Sequence, residues 1–239
     1  MSLPRLVIPS HDRSDVLAKK TFAFLQRENY PKDKIVIFVS SEIEQFRYSL
    51  TCPGVQIVIG KLGLTQQRNF ISDWLDDDEI YVSLDDDVTG VKSLGKSFLD
   101  IVRDGVQAIS SRRTGLFGIL SRDDGRSLKD NTTEHLTHVV GSFFIVRNHK
   151  DIKIEISTNV EDYARSCLYF LRYGAVFRYR GAGVQTKYMG SSGGLTDRKA
   201  RQEQGVKELV EMYPGLCKAI TKRNGWPDVL LNFRAKKSL

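Results

Sequence analysis

Three consecutive aspartates, Asp85, Asp86 and Asp87, follow directly on the apolar run Ile80–Leu84. Carboxylates this close repel one another, and the repulsion raises the pKa of some of them. A divalent cation such as Mg²⁺ or Mn²⁺ relieves that repulsion, because it prefers oxygen ligands and keeps phosphates as further ligands. Ligands of open α/β sheets bind beyond the carboxyl ends of the strands. The sequence therefore predicts a metal and phosphate site at the end of this apolar strand.

Two other classes of protein carry aspartates at a similar spacing. A calcium-binding EF-hand loop is excluded, because its twelfth position, which should be a bidentate Glu, is Lys96 and because a strand precedes it. A haloacid-dehalogenase-type phosphatase fits the D-x-D-x-T pattern, with Asp85 and Asp87 as nucleophile and acid/base and Ser121 as a phosphate-binding hydroxyl. That motif normally follows the first core strand of its family, whereas three strands are predicted before it here.

The aspartates also fit the D-x-D motif of a nucleotide-sugar glycosyltransferase. That interpretation predicts a nucleotide-binding half before the aspartates, an acceptor half after them, and cations beside the diphosphate. Arg13, Lys61 and Arg68 lie in turns that are predicted to converge at the same edge of the sheet. The structural alternative is an acidic turn that only caps the following element.

Strands that alternate with helices position these residues, and the alternation predicts βαβ units around a parallel sheet. The fold class is α/β, one domain over 1–239 with a nucleotide-sugar-binding half (1–90), an acceptor and catalytic half (91–195) and a basic helical extension (196–239). The predicted strands are 5–8, 35–39, 55–59, 80–84, 115–120, 139–146 and 176–180. The predicted helices are 14–28, 42–50, 65–74, 96–112, 160–172 and 197–212, with another short helix after Pro214.

The positive charge of the chain is concentrated near its end. From Arg178 onward there are 13 Lys/Arg against 5 Asp/Glu, whereas the first 177 residues hold 23 basic and 24 acidic residues. A one-sided basic segment indicates a polyanionic partner, most commonly nucleic acid. The alternative is a basic face that only contacts water.

Composition limits the class of protein. The chain is 41% hydrophobic and 27% charged, as in soluble globular proteins, and no apolar run is long enough to span a bilayer. The start lacks a signal-peptide pattern. Cys52, Cys167 and Cys217 are odd in number and widely spaced, which is typical of free thiols in a reducing compartment. We therefore expect no membrane partner and a cytoplasmic location.

Several motifs in this order resemble GT-A fold glycosyltransferases, whose central sheet is Rossmann-like and mostly parallel. Among these, the sequence resembles phage enzymes that glycosylate hydroxymethylated pyrimidines in DNA and the base J glucosyltransferase group associated with TET/JBP oxygenases. The resemblance covers about residues 3–194. Its motifs are IPSHDR at 8–13, LTQQRN at 64–69, the three aspartates, GSFF at 141–144 and Glu161-Asp162.

The resemblance implies an inverting transfer of a sugar, glucose or a pentose, from a UDP-sugar with Mn²⁺ or Mg²⁺ as the cofactor. The implied acceptor is a hydroxymethylated pyrimidine in double-stranded DNA, such as hydroxymethylcytosine, or a sugar already on it, and a phage-encoded enzyme would act in the host cytoplasm. A non-DNA acceptor and a nucleic-acid-binding module with a vestigial catalytic centre stay open. The sequence does not indicate the oligomeric state.

The resemblance also implies roles for individual residues. Asp162 would be the general base, Asp87 the metal ligand, and Asp85 a ligand of the metal or the ribose. No His follows His149, so Asp87 could be the sole firm ligand, and His135 and His138 are interpreted as structural. The other residues implied at the nucleotide-sugar site are Pro9, Ser10, Arg13, Lys61, Arg68 and Asp86. Lys187, Gly193 and Gly194 are predicted to form a lid over the diphosphate, because glycine lets backbone approach phosphate.

Overall fold

The computed structural model describes residues 2–121, 128–156, 160–186 and 198–236. Alternate side chains of the central strands enter opposite faces of one sheet, as the period of two requires. In β1 (Arg5–Pro9), Leu6 and Ile8 join one apolar cluster and Val7 joins the other. In β2 (Ile35–Val39) the odd-numbered residues join the first cluster and the even-numbered residues join the second. Strands buried on both faces explain the continuous apolar runs.

Nine of the described strands form one sheet. The strands that follow β1 and β2 in this sheet are β3 (Gln56–Ile59), β4 (Ile80–Leu84), β5 (Val88–Ser93), β6 (Leu116–Leu120), β7 (Thr132–His135), β8 (Phe143–Arg147) and β9 (Val176–Thr186). Their spatial order is β3-β2-β1-β4-β8-β6-β9-β5, with β7 paired to β9. The strands β3, β2, β1 and β4 are parallel, so their carboxyl ends meet at one edge. Beyond β4, β8 runs antiparallel, and the second half of the sheet mixes both directions.

Helices cover both faces of the sheet. The first face carries α1 (Ser14–Leu17), α2 (Ala23–Arg27), α3 (Glu42–Thr51) and α5 (Phe98–Ser110). The second face carries α4 (Leu64–Trp74), α6 (Glu161–Tyr173) and α7 (Arg198–Met212). A π-helical segment, Ala18–Phe22, joins α1 to α2, and a 3-10 turn, Lys32–Lys34, precedes β2.

The segment after Pro214 is a β-hairpin, and the helix predicted there is wrong. Its strands are β10 (Cys217–Thr221) and β11 (Pro227–Leu231), which pair antiparallel. The turn contains Asn224-Gly225, and Gly225 has a φ of 76°, a conformation that glycine adopts without strain. Val229 and Leu231 lie on either side of the exposed Leu230, and they belong to the second apolar cluster together with residues of α6 and α7. A helix would not give this alternation.

The α/β prediction is confirmed, and most predicted elements agree with the structure within a few residues. The strands β5 and β7 were not predicted, and β9 continues six residues beyond the predicted end at position 180. In the described part of the chain, no helix has both the length and the apolar character needed to cross a membrane.

Candidate active site

A cavity of about 200 Å³ lies at the carboxyl end of β4. Four of the predicted site residues line it together, namely Arg68, Asp85, Asp87 and Asp162. The other lining residues are Leu64, Val140, Gly141, Ser142, Glu161 and Thr186. Residues as far apart in sequence as Leu64 and Thr186 therefore share one small polar space.

Strand register brings these residues together. Leu84 at the end of β4 is opposite Phe143 at the start of β8, so the Asp85 N–H donates to the Ser142 carbonyl at 3.1 Å. On the other side, β5 and β9 pair so that the Thr186 hydroxyl donates to Asp87 Oδ1 at 2.8 Å. The three aspartates thus lie between the start of β8 and the end of the long strand β9.

Arg68 connects the two acidic sides of the cavity. Its guanidinium is buried, and Nη2 donates to Asp85 Oδ1 at 3.1 Å and to the Gly141 carbonyl at 2.9 Å. Nη1 pairs with Glu161, whose second oxygen accepts from Arg165 at 3.1 Å. Burial lowers the pKa of Arg68 to about 10, so the group stays charged at neutral pH. Because both of its terminal nitrogens are occupied, Arg68 orients Asp85.

The carboxylates after β4 are only partly compensated. Burial raises the pKa of Asp85, Arg68 opposes this shift, and the charge of Asp87 adds to it. Arg13 pairs with Asp86 at 2.8 Å and lies 3.4 Å from Asp87. The Asp85 and Asp87 side chains keep 35% and 20% of their surface exposed, so both remain accessible from the cavity.

The donor set fits Mg²⁺ or Mn²⁺ that is shared with a phosphorylated ligand. The carboxylates in and beside the cavity are Asp85, Asp86, Asp87, Glu161 and Asp162, and the arginines that pair with them are Arg13, Arg68 and Arg165. Five carboxylates against three arginines leave an excess of negative charge. Among the described residues no group of three His, Cys, Asp or Glu side chains could hold an ion alone. Asp85 and Asp87 would therefore need further oxygen ligands, which phosphates and water supply to Mg²⁺.

Asp86 lies beneath the cavity and does not line it. One oxygen accepts from the Ser10 hydroxyl at 2.6 Å and the other pairs with Arg13. Burial raises the pKa of Asp86 to about 6, although Ser10 and Arg13 oppose the shift. Ser10 follows Pro9 at the end of β1 and lies 2.6 Å from the Tyr48 hydroxyl. This buried network holds Arg13 beside Asp87 at the edge where β1 ends.

Asp162 is held as an ionised carboxylate at the start of α6. Oδ2 lies 2.8 Å from His138 Nε2 and accepts from the Gly141 N–H at 3.2 Å, while Oδ1 accepts from the Tyr163 N–H at 2.9 Å. Burial raises the pKa of Asp162, but His138, Arg165 and Arg68 together lower it to about 2. The interpretation of His138 as a purely structural histidine is thus incomplete, since it contacts the predicted base.

Ser142 was singled out by sequence only as part of a motif. Ser142 lines the cavity and is 5% exposed. Its hydroxyl has no hydrogen-bond partner among the described residues. A buried hydroxyl without a partner costs about 1–3 kcal/mol, which a bound ligand would recover. Thr186 was missed because β9 was predicted to end six residues earlier. A strand prediction extended through 181–186 would have included it.

Of the described residues predicted at this site, five do not line the cavity, namely Pro9, Ser10, Arg13, Lys61 and Asp86. Lys61 is exposed in the loop between β3 and α4, and its backbone N–H donates to Gln67. The predicted lid residues, Lys187, Gly193 and Gly194, lie outside the described residues.

Solved structures share this fold at low sequence identity. Glucosyl-3-phosphoglycerate synthase from Mycobacterium tuberculosis, in complex with Mn²⁺, UDP and glucosyl-3-phosphoglycerate, is 11% identical, with a TM-score of 0.56 over 99% of this chain and 88% of that one. GalNAc-T7 with UDP, GalNAc and Mn²⁺ is 12% identical, with a TM-score of 0.60 over 87% of this chain and 48% of that one. A mannosyltransferase from Pyrobaculum calidifontis, in complex with GDP-Man and Mn²⁺, is 14% identical, with a TM-score of 0.50 over 88% and 63%.

These likenesses establish the GT-A fold that the sequence predicts. No family model matches the sequence, and no curated protein matches it either.

Proposed function

We propose that the chain is a metal-dependent glycosyltransferase that moves a sugar from a UDP-sugar to a hydroxyl acceptor with inversion. One observation carries the proposal: Asp85, Asp87 and Asp162 line the same cavity. A metal-binding pair and a separate carboxylate that is ionised at neutral pH are the two groups that such a transfer requires. The fold shared with sugar transferases that bind Mn²⁺ and nucleotides supports the same assignment.

Asp85 and Asp87 would hold Mn²⁺ or Mg²⁺ together with the diphosphate of the donor. The cation, when bound, neutralises charge that develops on the departing UDP. Arg13 contributes further positive charge, since it lies beside Asp87 and Asp86. Pro9 and Ser10, at the end of β1, would border the base and the ribose, while Ser142 would donate its unpaired hydroxyl to the donor.

Asp162 would accept the proton of the acceptor hydroxyl as that oxygen attacks the anomeric carbon. Its low pKa makes it a weak base but keeps it ionised across the physiological range. Hydroxyl acidity rises sharply as the new glycosidic bond forms, so a weak carboxylate base in the correct position is sufficient. The hydrogen bonds from His138 and Gly141 fix the orientation of this carboxylate.

The acceptor that we propose is a hydroxymethylated pyrimidine in DNA, or a sugar already attached to it. The structure contributes one supporting observation, which is the location of the basic C-terminal segment. Arg178 donates to the backbone carbonyl of His138 at 3.0 Å, and Lys222 of the hairpin pairs with Asp228, which contacts Tyr163 next to Asp162. Arg178 and a hairpin with three basic residues against one acidic residue therefore lie on the side of the cavity formed by the predicted base, where a phosphodiester backbone would bind.

A small phosphorylated acceptor would suit the same positive charge. The Mycobacterium tuberculosis enzyme has been solved with phosphoglyceric acid, which is an anion of this kind. The two acceptors differ in their number of phosphates, so the salt dependence of binding distinguishes them. Binding of DNA through several phosphates weakens steeply with salt, whereas binding of one phosphate weakens little.

The test is to incubate the protein and Mn²⁺ with a panel of UDP-sugars and DNA that contains hydroxymethylcytosine or hydroxymethyluracil, followed by mass spectrometry of the nucleosides. A nucleoside heavier by one sugar is the expected result. Sugar on a small phosphorylated acid but not on DNA would replace the acceptor, and phosphomonoester hydrolysis without sugar transfer would favour the phosphatase. We also propose a cytoplasmic location, which the three free, buried thiols support.

A further inference from the structure

A chain of side chains leads from Asp162 away from the cavity to the C-terminal hairpin. His138 Nε2 lies 2.8 Å from Asp162 Oδ2. The imidazole stacks on the Tyr163 ring, with centroids 4.0 Å apart and planes inclined by 7°. The Tyr163 hydroxyl donates to Asp228 Oδ1 at 3.1 Å. Residues about 90 positions apart in sequence are therefore connected by three successive side-chain contacts.

The far end of this chain is anchored. Asp228 is buried, and its second oxygen pairs with Lys222 across the hairpin at 2.6 Å. The hairpin itself packs on α7, and it contacts α6 where Cys217 lies against Cys167 and where Asp228 accepts from Tyr163. The position of the Tyr163 hydroxyl thus depends on a hairpin that the cavity does not include.

The near end is anchored as well. Arg178 on β9 donates to the backbone carbonyl of His138, which fixes the loop before β8. Face-to-face stacking then leaves the imidazole few orientations, and the one observed directs Nε2 at Asp162. Removal of the ring or its support would free the carboxylate to rotate away from the cavity.

We propose that His138, Tyr163 and Asp228 are positioning residues that hold Asp162 in the orientation needed to accept the proton of the acceptor, so that the C-terminal hairpin is a working part of the active site. This inference rests on the proposed function. It gives the hairpin a role in the transfer step in addition to any role of its positive charge in acceptor binding.

Charged groups surround Asp162, so the pH dependence of the transfer rate distinguishes a positioning role from a merely structural one. The charged groups around it are His138 before β8, Arg68 on α4, Arg165 and Glu161 on α6, and Asp85 after β4. Loss of His138 removes one of the interactions that oppose burial, so the pKa of Asp162 rises. The acid limb of the pH–rate profile should then move to higher pH.

The test compares Tyr163→Phe, His138→Gln and Asp228→Asn with the wild type. We expect kcat to fall on the order of 10- to 100-fold, as for a misplaced catalytic group. The KM for the UDP-sugar and the Mn²⁺-dependent affinity for UDP should stay within about twofold, because the donor side is untouched. Tyr163→Phe keeps the ring and its stacking, so it should fold normally.

Two matched controls lie elsewhere in the chain. Tyr179→Phe removes a hydroxyl that donates to Asp130 at 2.9 Å, and His149→Gln removes an imidazole that lies 2.6 Å from the Tyr173 hydroxyl. Each control makes the same type of substitution as one tested variant, Tyr to Phe or His to Gln, at a position outside the cavity. Both should keep the wild-type kcat and pH profile.

The inference is overturned if Tyr163→Phe and His138→Gln match their controls in kcat and pH profile, or if they lose donor affinity as much as kcat. A wild type that transfers sugar while the variants behave as controls overturns only this inference. A wild type without Mn²⁺-dependent UDP binding overturns the proposed function and this inference with it.

Discussion

The acidic groups after β4 and those at the start of α6 line the same cavity but are held very differently. Asp85 and Asp87 share their counter-charges with Asp86 and Glu161, and the pKa of Asp85 is raised by burial. Asp162 has three hydrogen-bond donors, and its pKa falls to about 2 despite burial. The charge of the first acidic group is only partly compensated, whereas the carboxylate of the second is fully hydrogen-bonded.

This difference suits the two roles proposed for these groups, metal binding after β4 and proton acceptance at the start of α6. An undercompensated pair of carboxylates attracts a divalent cation, whereas a fully hydrogen-bonded carboxylate gains little from one. Arg68 lies between the two groups and connects to each of them, directly to Asp85 and through Glu161 to the start of α6. Its positive charge lies between the two acidic groups, and its hydrogen bonds hold them at a fixed distance.

The largest expected effect comes from Asp87→Asn. Loss of this charge removes a metal ligand, so the rate of transfer should fall on the order of 10²–10³-fold. Asp104→Asn, on an exposed face of α5 where Asp104 pairs with Lys96, is the control and should keep wild-type activity. Transfer by Asp87→Asn at the control rate would contradict the assignment of the metal to β4.

The second prediction concerns pH and the α6 carboxylate. Because the folded-state pKa of Asp162 lies below its ordinary value, its ionised form stabilises the fold above pH of about 4, and this contribution is lost as the pH falls to about 2. The difference in free energy of unfolding between the wild type and Asp162→Asn should shrink by about 2 kcal/mol from pH 5 to pH 2. Urea denaturation at several pH values measures it, and a constant difference would argue against the arrangement.

Gly141→Ala should damage both acidic groups at once. A Cβ at this position would lie 3.0 Å from Arg68 Nη1 and 3.0 Å from Glu161 Oε1, so Arg68 must shift. We expect a loss of about 1–3 kcal/mol in stability from overpacking, together with lower activity. Thermal denaturation and the transfer assay measure these effects. An alanine variant with wild-type stability and activity would show that the position of Arg68 does not matter.

The smallest effect is expected from Ser142→Ala. Its hydroxyl has no partner among the described residues, so its loss should leave the stability unchanged or slightly higher. If it contacts the donor, KM for the UDP-sugar should rise about 5- to 10-fold, equivalent to one neutral hydrogen bond. An unchanged KM would remove Ser142 from the donor site without affecting the metal assignment.

The sequence predicted the part of the fold that local patterns determine. The continuous apolar runs of β1, β2 and β4 and the aspartates after β4 stand out because they are contiguous. The hairpin was missed, although its Asn224-Gly225 turn is a recognised hairpin signal, because a further short helix was predicted after Pro214. The strand β5 is half-exposed at the edge of the sheet, so its sequence carries little apolar pattern.

The site was only partly predictable for a related reason. Asp85, Asp87 and Arg68 were identified because charged residues next to strand or helix ends are conspicuous, and Asp162 was identified because the family resemblance implies its role. The contact of His138 with Asp162 depends on how β8 is paired and how α6 begins, and no local pattern specifies that. The roles of all these residues remain predictions.

The most direct test of the account is the coupling between metal and nucleotide at the end of β4. Calorimetric titration of UDP into the protein, with and without Mn²⁺, measures it in the wild type and in Asp87→Asn. The account predicts that Mn²⁺ tightens UDP binding at least about tenfold in the wild type, or 1.4 kcal/mol, and not in the variant. Equal affinity with and without Mn²⁺ in the wild type would contradict it.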